Sequence, residues 1–588
     1  MHPKPRALLE HLSVLGAYAL LTLLLTYPLA FRLSTHLPGD GGDTNIFVWN
    51  LWWIKKALTE LRTNPYWTDY LFYPEGASLV FHTLVPFNGL LGIPLQAFVS
   101  LVAANNLIIL VSFALSAYGT YLLIRYLGTD PLPAFIGGII FAFCPYKFAH
   151  LLGHFNLVST EWLPFYILAL LKLTNDSKRG GIYPSLSCAV FLLLIALCDF
   201  YYLVYALIFT ALVVVYRIQT DGFGGFLRRD CRRLATALGL FLIGFAPILI
   251  MSWIDLLREG HETARGWGGA TGFQADLLSF FTPSPLHPLL GPLVQPITRM
   301  FKGNLAEATV FAGYLPLVLG LFAITKFRSA EPWVRFWSLA LFVFFILSLG
   351  PFPRILGKGI KLIPLPYHLI MRTPILSNLR VPSRFAIMVM LSLAVLAAFS
   401  CDRLSRRLEN RASRALIFLG IALTITFEYL AIPFPMFTPS VPKVYEQIGK
   451  ESGEFTILEI PLGRASGLGT GVGQFHSQSL YYQTVHEKKL LGGLVSRVPS
   501  AKVQALTEQP LLRSILEVQG TIATDRVHER PARPALDELA ALQIRYVVIY
   551  PPFNHSPVRD YVEATLPVAK ISEDGGVVAF RVTLQDGK

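Results

Sequence analysis

Long stretches of this chain carry no charge, and nothing else in the sequence limits its fold as strongly. The run Gly76–Ile124 contains no Asp, Glu, Lys or Arg. Apolar runs with at most one charge recur at about 12–31, 105–124, 131–149, 157–171, 182–198, 200–216, 234–254, 308–325, 336–353, 385–401 and 415–432. As helices, runs of this kind suit the ~30 Å hydrocarbon core of a bilayer. Only 15% of the 588 residues are charged, where a soluble domain usually has about 25%. The expectation is a polytopic α-helical membrane protein with about 11 transmembrane helices. The basic N-terminus Met1–Arg6 leads into an apolar core too long for a signal peptide, so the first run reads as an uncleaved span.

Charge orients the spans. Arg217, Arg228, Arg229, Arg232 and Arg233 share one short loop, and Arg403, Arg406, Arg407, Arg411 and Arg414 another. Lys172, Lys178 and Arg179 mark a third, and Lys326, Arg328 and Arg335 a fourth. Positive residues stay on the cytoplasmic side, and these four loops agree once the spans between them are counted. The net charge of +13 therefore reports topology, and no nucleic-acid partner is implied. A twelfth apolar stretch, 84–102, cannot cross without breaking the parity. With Pro86, Gly89, Gly92 and Pro94 it reads as an in-plane or re-entrant element.

This topology puts the N-terminus on the cytoplasmic side of the membrane. Residues 1–432 form the transmembrane domain, with outer loops near 32–84, 255–307 and 354–384. Residues 441–588 form an extracytoplasmic α/β domain. Within it Phe455–Pro461 and Arg545–Tyr550 read as strands and Ala535–Leu542 as a short helix. Ile571–Val582 reads as a hairpin. The five cysteines, Cys144, Cys188, Cys198, Cys231 and Cys401, all precede this domain, so it holds no internal disulfide.

Chemistry-bearing residues gather on the outer side. Gly39-Asp40-Gly41-Gly42-Asp43 places two carboxylates beside a span end. Asp-Gly is a turn-former in its own right. Trp49, Trp52 and Trp53 follow and read as interfacial anchors. His150 and His154, four apart, would share a helix face and could bind metal or move protons. Lys147 and Asn156 flank them. Asp199, alone between two spans, is a functional candidate or a polar hairpin tip. The third outer loop is basic on the side that should not be. Arg372, Arg380 and Arg384 there suit a lipid phosphate through their planar forks.

Together, the acidic first outer loop, the spans and the large second outer loop resemble the GT-C fold of polyprenyl-phosphate-dependent glycosyltransferases. The strings GDGGDTNIFVWNLWW, FYPEGASLVFHTLVPFN, PYKFAHLLGHFNL, EATVFAGYLPLVLG and RVPSRFAIMVM resemble those of uncharacterised bacterial membrane proteins grouped with it. The resemblance implies that Asp40 or Asp43 acts as general base or metal ligand. Lys147, Arg372, Arg380 and Arg384 would then stabilise the leaving phosphate. His150, His154, Asn156 and Asp199 would bind substrate. A divalent metal, if used, would fall to Asp40, Asp43, His150 and His154. The implied partners are a polyprenyl-phosphate-linked sugar, membrane lipid and an extracytoplasmic glycan or protein acceptor. Asp-Gly-Gly-Asp departs from the Asp-x-Asp of metal-dependent oligosaccharyltransferases, and no Trp-Trp-Asp acceptor motif is present. A lipid or glycan flippase, or an inactive GT-C-like scaffold, are the alternatives.

Overall fold

The computed structural model describes residues 5–175, 181–260, 262, 269–373, 376–467, 469–522 and 534–583. Lys178 and Arg179 of the third basic loop lie outside the described residues. The helices that position the site are α1 (Pro5–Leu25), α2 (Thr44–Lys55), α3 (Pro86–Leu95), α4 (Leu101–Tyr126) and α5 (Pro131–Ala142). They continue with α6 (Pro145–His150), α7 (Phe155–Val158), α8 (Trp162–Asn175), α9 (Tyr183–Cys198) and α10 (Phe200–Asp221). Further helices run over Arg232–Glu259, Tyr314–Phe327, Pro332–Ser348, Ala386–Ser405 and Arg411–Glu428. Every expected span falls on a helix.

Among the described residues, six helical segments are long and apolar enough to cross a membrane. They are Leu8–Leu25, Leu101–Tyr126, Pro131–His150, Phe200–Asp221, Phe223–Glu259 and Pro382–Ser405. Three shorter apolar helices accompany them: Tyr183–Cys198, Tyr314–Phe327 and Pro332–Ser348. The ambiguous stretch becomes α3, of 10 residues. At 1.5 Å per residue it reaches about 15 Å, half a hydrocarbon core. It lies against α2, where a side chain on Gly89 would overlap Ile54.

Small residues draw the central helices together. The Pro382–Ser405 segment is enclosed on all sides, packed on α5, Tyr314–Phe327 and Pro332–Ser348. A Cβ on Gly137 would strike Ile124 and crowd the Ala394 carbonyl, and one on Gly320 would strike Leu393. Close backbone approach of this kind drives association where lipid offers no hydrophobic incentive.

The C-terminal part holds β1 (Thr456–Ile460), β2 (Gly463–Ser466), β3 (Gly471–Gly473), β4 (Lys489–Leu490) and β5 (Gly493–Val495). They are followed by β6 (Ile544–Ile549), β7 (Val568–Asp574) and β8 (Val577–Val582). The main sheet has the order β4-β1-β6-β8-β7, and a three-stranded sheet the order β5-β2-β3. Strands β4, β1 and β6 are parallel, while β6–β8 and β7–β8 are antiparallel. Side chains alternate between faces. Ile457, Tyr546 and Val548 enter one core; Leu458, Ile460, Val547 and Ile549 enter another. The strands, short helix and hairpin expected here are all present. All five cysteines are free.

The first core corrects one expectation. Trp49, Trp52 and Trp53 are buried with Tyr445, Tyr482 and Tyr546 of the C-terminal part, so these residues do not anchor a membrane surface. Trp49 Nε1 donates to Gln483 Oε1 at 2.7 Å, and Gln483 Nε2 donates to the Tyr70 carbonyl at 2.7 Å. The first long loop is thus clamped between the helices and the sheet. Arg464, 2% exposed, pairs with Glu75 at 2.8 Å and donates to the carbonyls of Tyr73, Leu491 and Lys502.

His82 completes this seam. Its Nδ1 accepts from the Ser496 amide at 3.1 Å and its Nε2 faces Asn50 Oδ1 at 3.2 Å. Only the neutral ring, protonated at Nε2, satisfies both partners. Burial lowers its pKa to about 4. The unfolded chain takes up the proton near pH 6.5 and the folded one only near 4, so stability falls as pH drops through that window. The loss is about 3 kcal/mol at the low end. Thermal unfolding of the detergent-solubilised protein should move down between about pH 6.5 and 4, and less so in His82→Asn. Equal slopes in both proteins would refute this role for His82.

Candidate active site

Two packed antiparallel helices set the site's frame. At one end of α5 the Asp130 amide donates to Asp402 Oδ1 at 2.9 Å. At the other end α6 carries His150 toward Arg384, which precedes the Ala386–Ser405 helix. Glu307 lies between them. It comes from the one-turn helix Leu305–Ala308, whose N-cap Asn304 accepts from the Glu307 amide at 2.8 Å.

Glu307 is 2% exposed and fully engaged. Oε1 accepts from Arg384 Nε at 2.8 Å and from its terminal nitrogen at 2.6 Å. Oε2 accepts from Ser383 Oγ at 3.0 Å and faces His150 Nε2 at 3.5 Å. Burial pushes its pKa up, but the charge of Arg384 outweighs it and holds the carboxyl well below the usual range. Arg384 also lies over the Tyr201 ring, 4.8 Å from its centre.

The two histidines lie on different helical turns. His150 ends α6 and His154 precedes α7, with ring centres 5.6 Å apart. His154 Nε2 is 3.4 Å from Asp43 Oδ2. That hydrogen bond lowers the Asp43 pKa; partial burial opposes it, and the charges of His154 and Arg384 add to it. Asp43 is therefore ionised at neutral pH. Glycine makes the approach possible. Gly39 has φ +98°, and a Cβ there would lie 2.0 Å from the Leu152 carbonyl oxygen. The glycine-rich loop thus seats directly on the histidine turn.

Other expected residues divide into two groups. Asn156 Nδ2 donates to Asp199 Oδ2 at 2.7 Å. Asp199 Oδ1 caps α10 by accepting from the Tyr201 and Tyr202 amides at 2.7 and 3.2 Å. Arg380 stacks beside Phe273, 5.7 Å from its ring centre, and interacts with Tyr201, Arg384 and Glu307. These join the cluster. Lys147 does not: it is fully buried, bound to Ser116 Oγ at 2.7 Å and to the Ser112 carbonyl at 3.2 Å. Enclosure among those hydroxyls keeps it from a lipid phosphate. Arg372 is exposed at the end of the Tyr367–Arg372 helix. Asp40 is exposed, and its Oδ1 accepts only from the Gly42 amide, at 3.1 Å, among the described residues.

Glu307, Ser383 and Arg497 belong here and were not singled out from sequence. Arg497, on the C-terminal part, donates to Asn378 Oδ1 at 2.6 Å, and the Asn378 carbonyl accepts from the Tyr201 hydroxyl at 3.2 Å. The available signal was Glu307's position as a lone carboxylate within EATVFAGYLPLVLG.

The donor set also fits a divalent cation. His150 Nδ1 faces the Tyr146 carbonyl at 2.8 Å. A carbonyl only accepts, so Nδ1 carries the proton and Nε2 presents a lone pair. That Nε2 is buried without a hydrogen-bond partner, as is His154 Nδ1. Ligand atoms of His150, His154 and Glu307 lie within 4.8 Å of one another. Two imidazoles and a carboxylate suit a zinc-like or other first-row ion. The expected set changes accordingly: Glu307 enters, Asp43 stands behind His154, and Asp40 is apart.

A family model described as a domain of unknown function (DUF6311) matches residues 8–427. No curated protein matches the chain. Among solved structures, the arabinofuranosyltransferase AftD from Mycobacteria aligns at TM-score 0.59 and 14% identity, over 97% of this chain and 40% of its own. The chain thus spans less than half of AftD's length. The oligosaccharyltransferase AglB from Archaeoglobus fulgidus aligns at 0.48 and 13%, over 98% and 75% of the two chains. ArnT from Cupriavidus metallidurans aligns at 0.45 and 12%, over 97% of each. The likeness to AftD shows the fold: the expected GT-C-like helical architecture is borne out, while the described residues give six long apolar helices and three shorter ones against the expected count of about 11.

A metal-binding measurement tests the donor set. Glu307→Gln should weaken divalent-ion affinity by at least the about 10–100-fold that loss of an outer-shell partner costs. Titration of metal-stripped protein, read by calorimetry, checks this. Equal affinity in wild type and variant would remove Glu307 from the set.

Proposed function

The chain belongs to the DUF6311 family, and from its GT-C-like fold and its site we propose that it is a membrane glycosyltransferase. It moves a sugar from a polyprenyl-phosphate donor to an extracytoplasmic acceptor, with inversion at the anomeric carbon. The observation that carries this reading is the juxtaposition of an ionised Asp43, paired with His154, and the Arg384–Glu307 pair beside Arg380. A base and a group of cations are what displacement of a phosphate by a hydroxyl requires.

In the reaction, an acceptor hydroxyl oxygen attacks the anomeric carbon and the bond from that carbon to the phosphate oxygen breaks. The hydroxyl proton passes to an Asp43 oxygen. The electron pair of the broken bond leaves on the polyprenyl phosphate, whose charge Arg384 and Arg380 neutralise. A carboxylate of low pKa is a weak base. It serves here because a hydroxyl that is already bonding to carbon becomes strongly acidic, so proton transfer comes late. Glu307 fixes Arg384, and His154 orients Asp43. A divalent ion held by His150, His154 and Glu307 would supply Lewis-acid stabilisation of negative charge.

Asp43→Asn should lower transfer by at least about 10²-fold, while Asp40→Asn stays within a few-fold, measured with a labelled polyprenyl-phosphate sugar in proteoliposomes. Full activity in the Asp43 variant would exclude it as the base. Because His154 depresses the Asp43 pKa, the acid limb of the rate profile should lie below the ordinary carboxylate range. Activity is then kept as pH falls, until that depressed value is crossed. His154→Ala should move the limb upward.

A further inference from the structure

A cleft of about 590 Å³ lies between Asn45 near the start of α2, the Phe437–Lys443 segment and the C-terminal part, and we propose that it holds a neutral glycan chain whose terminal hydroxyl is the acceptor. This rests on the glycosyltransferase reading and gives its acceptor a chemical class and a place. The volume falls within the about 300–1,000 Å³ usual for ligand sites.

The cleft adjoins the glycine-rich loop through Asn45 and Phe437, which both touch Gly41. Asn45, two residues beyond Asp43, lines one end. Its Nδ2 donates to the Gly41 carbonyl, which leaves Oδ1 as an acceptor. Phe437 forms the floor there, and a Cβ on Gly41 would lie 3.3 Å from its ring. The strand pairing of Leu37–Pro38 with Met436–Phe437 fixes that contact. A chain lying in the cleft therefore points one end toward the Asp40–Asp43 loop.

The walls suit sugar. Tyr482, Tyr550 and His476 form one rigid side. Tyr482 and Tyr550 ring centres lie 5.9 Å apart at 24°, and Tyr550 and His476 5.5 Å apart at 26°. Tyr481 also lines the cleft, half-buried, and stacks on no other ring among the described residues. Part of it packs against the cluster of Leu37, Val48 and Val102, and the part that lines the cleft can meet the C–H face of a pyranose or furanose. The exposed Gln478 accepts from the Tyr482 hydroxyl at 2.8 Å, which leaves its amide N–H groups for sugar hydroxyls. Lys443 and Asp574, of opposite sign, are the only charged side chains in the lining among the described residues. An aromatic surface with amides and balanced charge recognises a neutral polyhydroxyl better than an acidic or basic polymer.

The test uses full-length protein in lipid nanodiscs and, as probe, the neutral oligosaccharide fraction released from envelopes of cells lacking this protein. Saturation-transfer NMR should show contact with sugar ring protons. Tyr481→Ala and the surface change Gln478→Ala should each weaken binding by about fivefold to tenfold, the worth of a ring contact or a neutral hydrogen bond. No transfer to sugar protons, equal binding in both cleft variants, or transfer only to an envelope peptide fraction would each overturn the proposal. The two readings separate cleanly. Sugar transfer without glycan binding in the cleft removes this inference alone. Glycan binding without any transfer removes the enzyme.

Discussion

A single buried carboxylate ties three distant segments of this chain together. Glu307 comes from a one-turn helix in a long loop, Arg384 from the start of the most enclosed helix, and His150 from the end of α6. Removing either partner of a buried pair leaves a stranded charge, at about 3–5 kcal/mol. The pair therefore acts as a lock. With Arg384 fixed, Tyr201 lies under its guanidinium, and Asp199 and Asn156 follow through the α10 cap. With His150 fixed, the turn at Leu152 presents the backbone on which Gly39 rests, and Asp43 reaches His154.

The first long loop plays a second part. One side meets the histidine turn, and the other is buried against the C-terminal sheet through Trp49, Gln483 and Arg464. Arg497 reaches Asn378 from that same C-terminal part. The sheet therefore supports the site from behind as well as bordering the cleft. A change in its seating would be felt at both Asp43 and Tyr201, because the loop and Asn378 are hydrogen-bonded to it.

Much of this was legible in the sequence, for reasons that differ by residue. Charge-free runs and basic loops identified the helices because hydropathy is a local property. Parity set 84–102 apart from the crossing runs, and there the structure has the 10-residue α3. The pattern Gly39–Asp43 and the pair His150/His154 stood out because their chemistry lies within a few residues. Glu307 did not, since its meaning depends on Arg384, 77 residues away. The tryptophans misled because an apolar, aromatic α2 reads the same whether lipid or protein covers it. Lys147 misled similarly: a lysine near a helix end usually snorkels to the interface, but Ser112 and Ser116 meet this one inside.

The central claim is that Asp43 and Arg384 face one another across the place where phosphate and acceptor meet. A cryo-EM structure of the protein in nanodiscs with undecaprenyl phosphate tests it most directly. The account predicts phosphate density against Arg384 and Arg380, on the side open to Asp43 and His154. Well-ordered lipid phosphate bound elsewhere, with the Arg384–Glu307 pair sealed from it, would contradict the account.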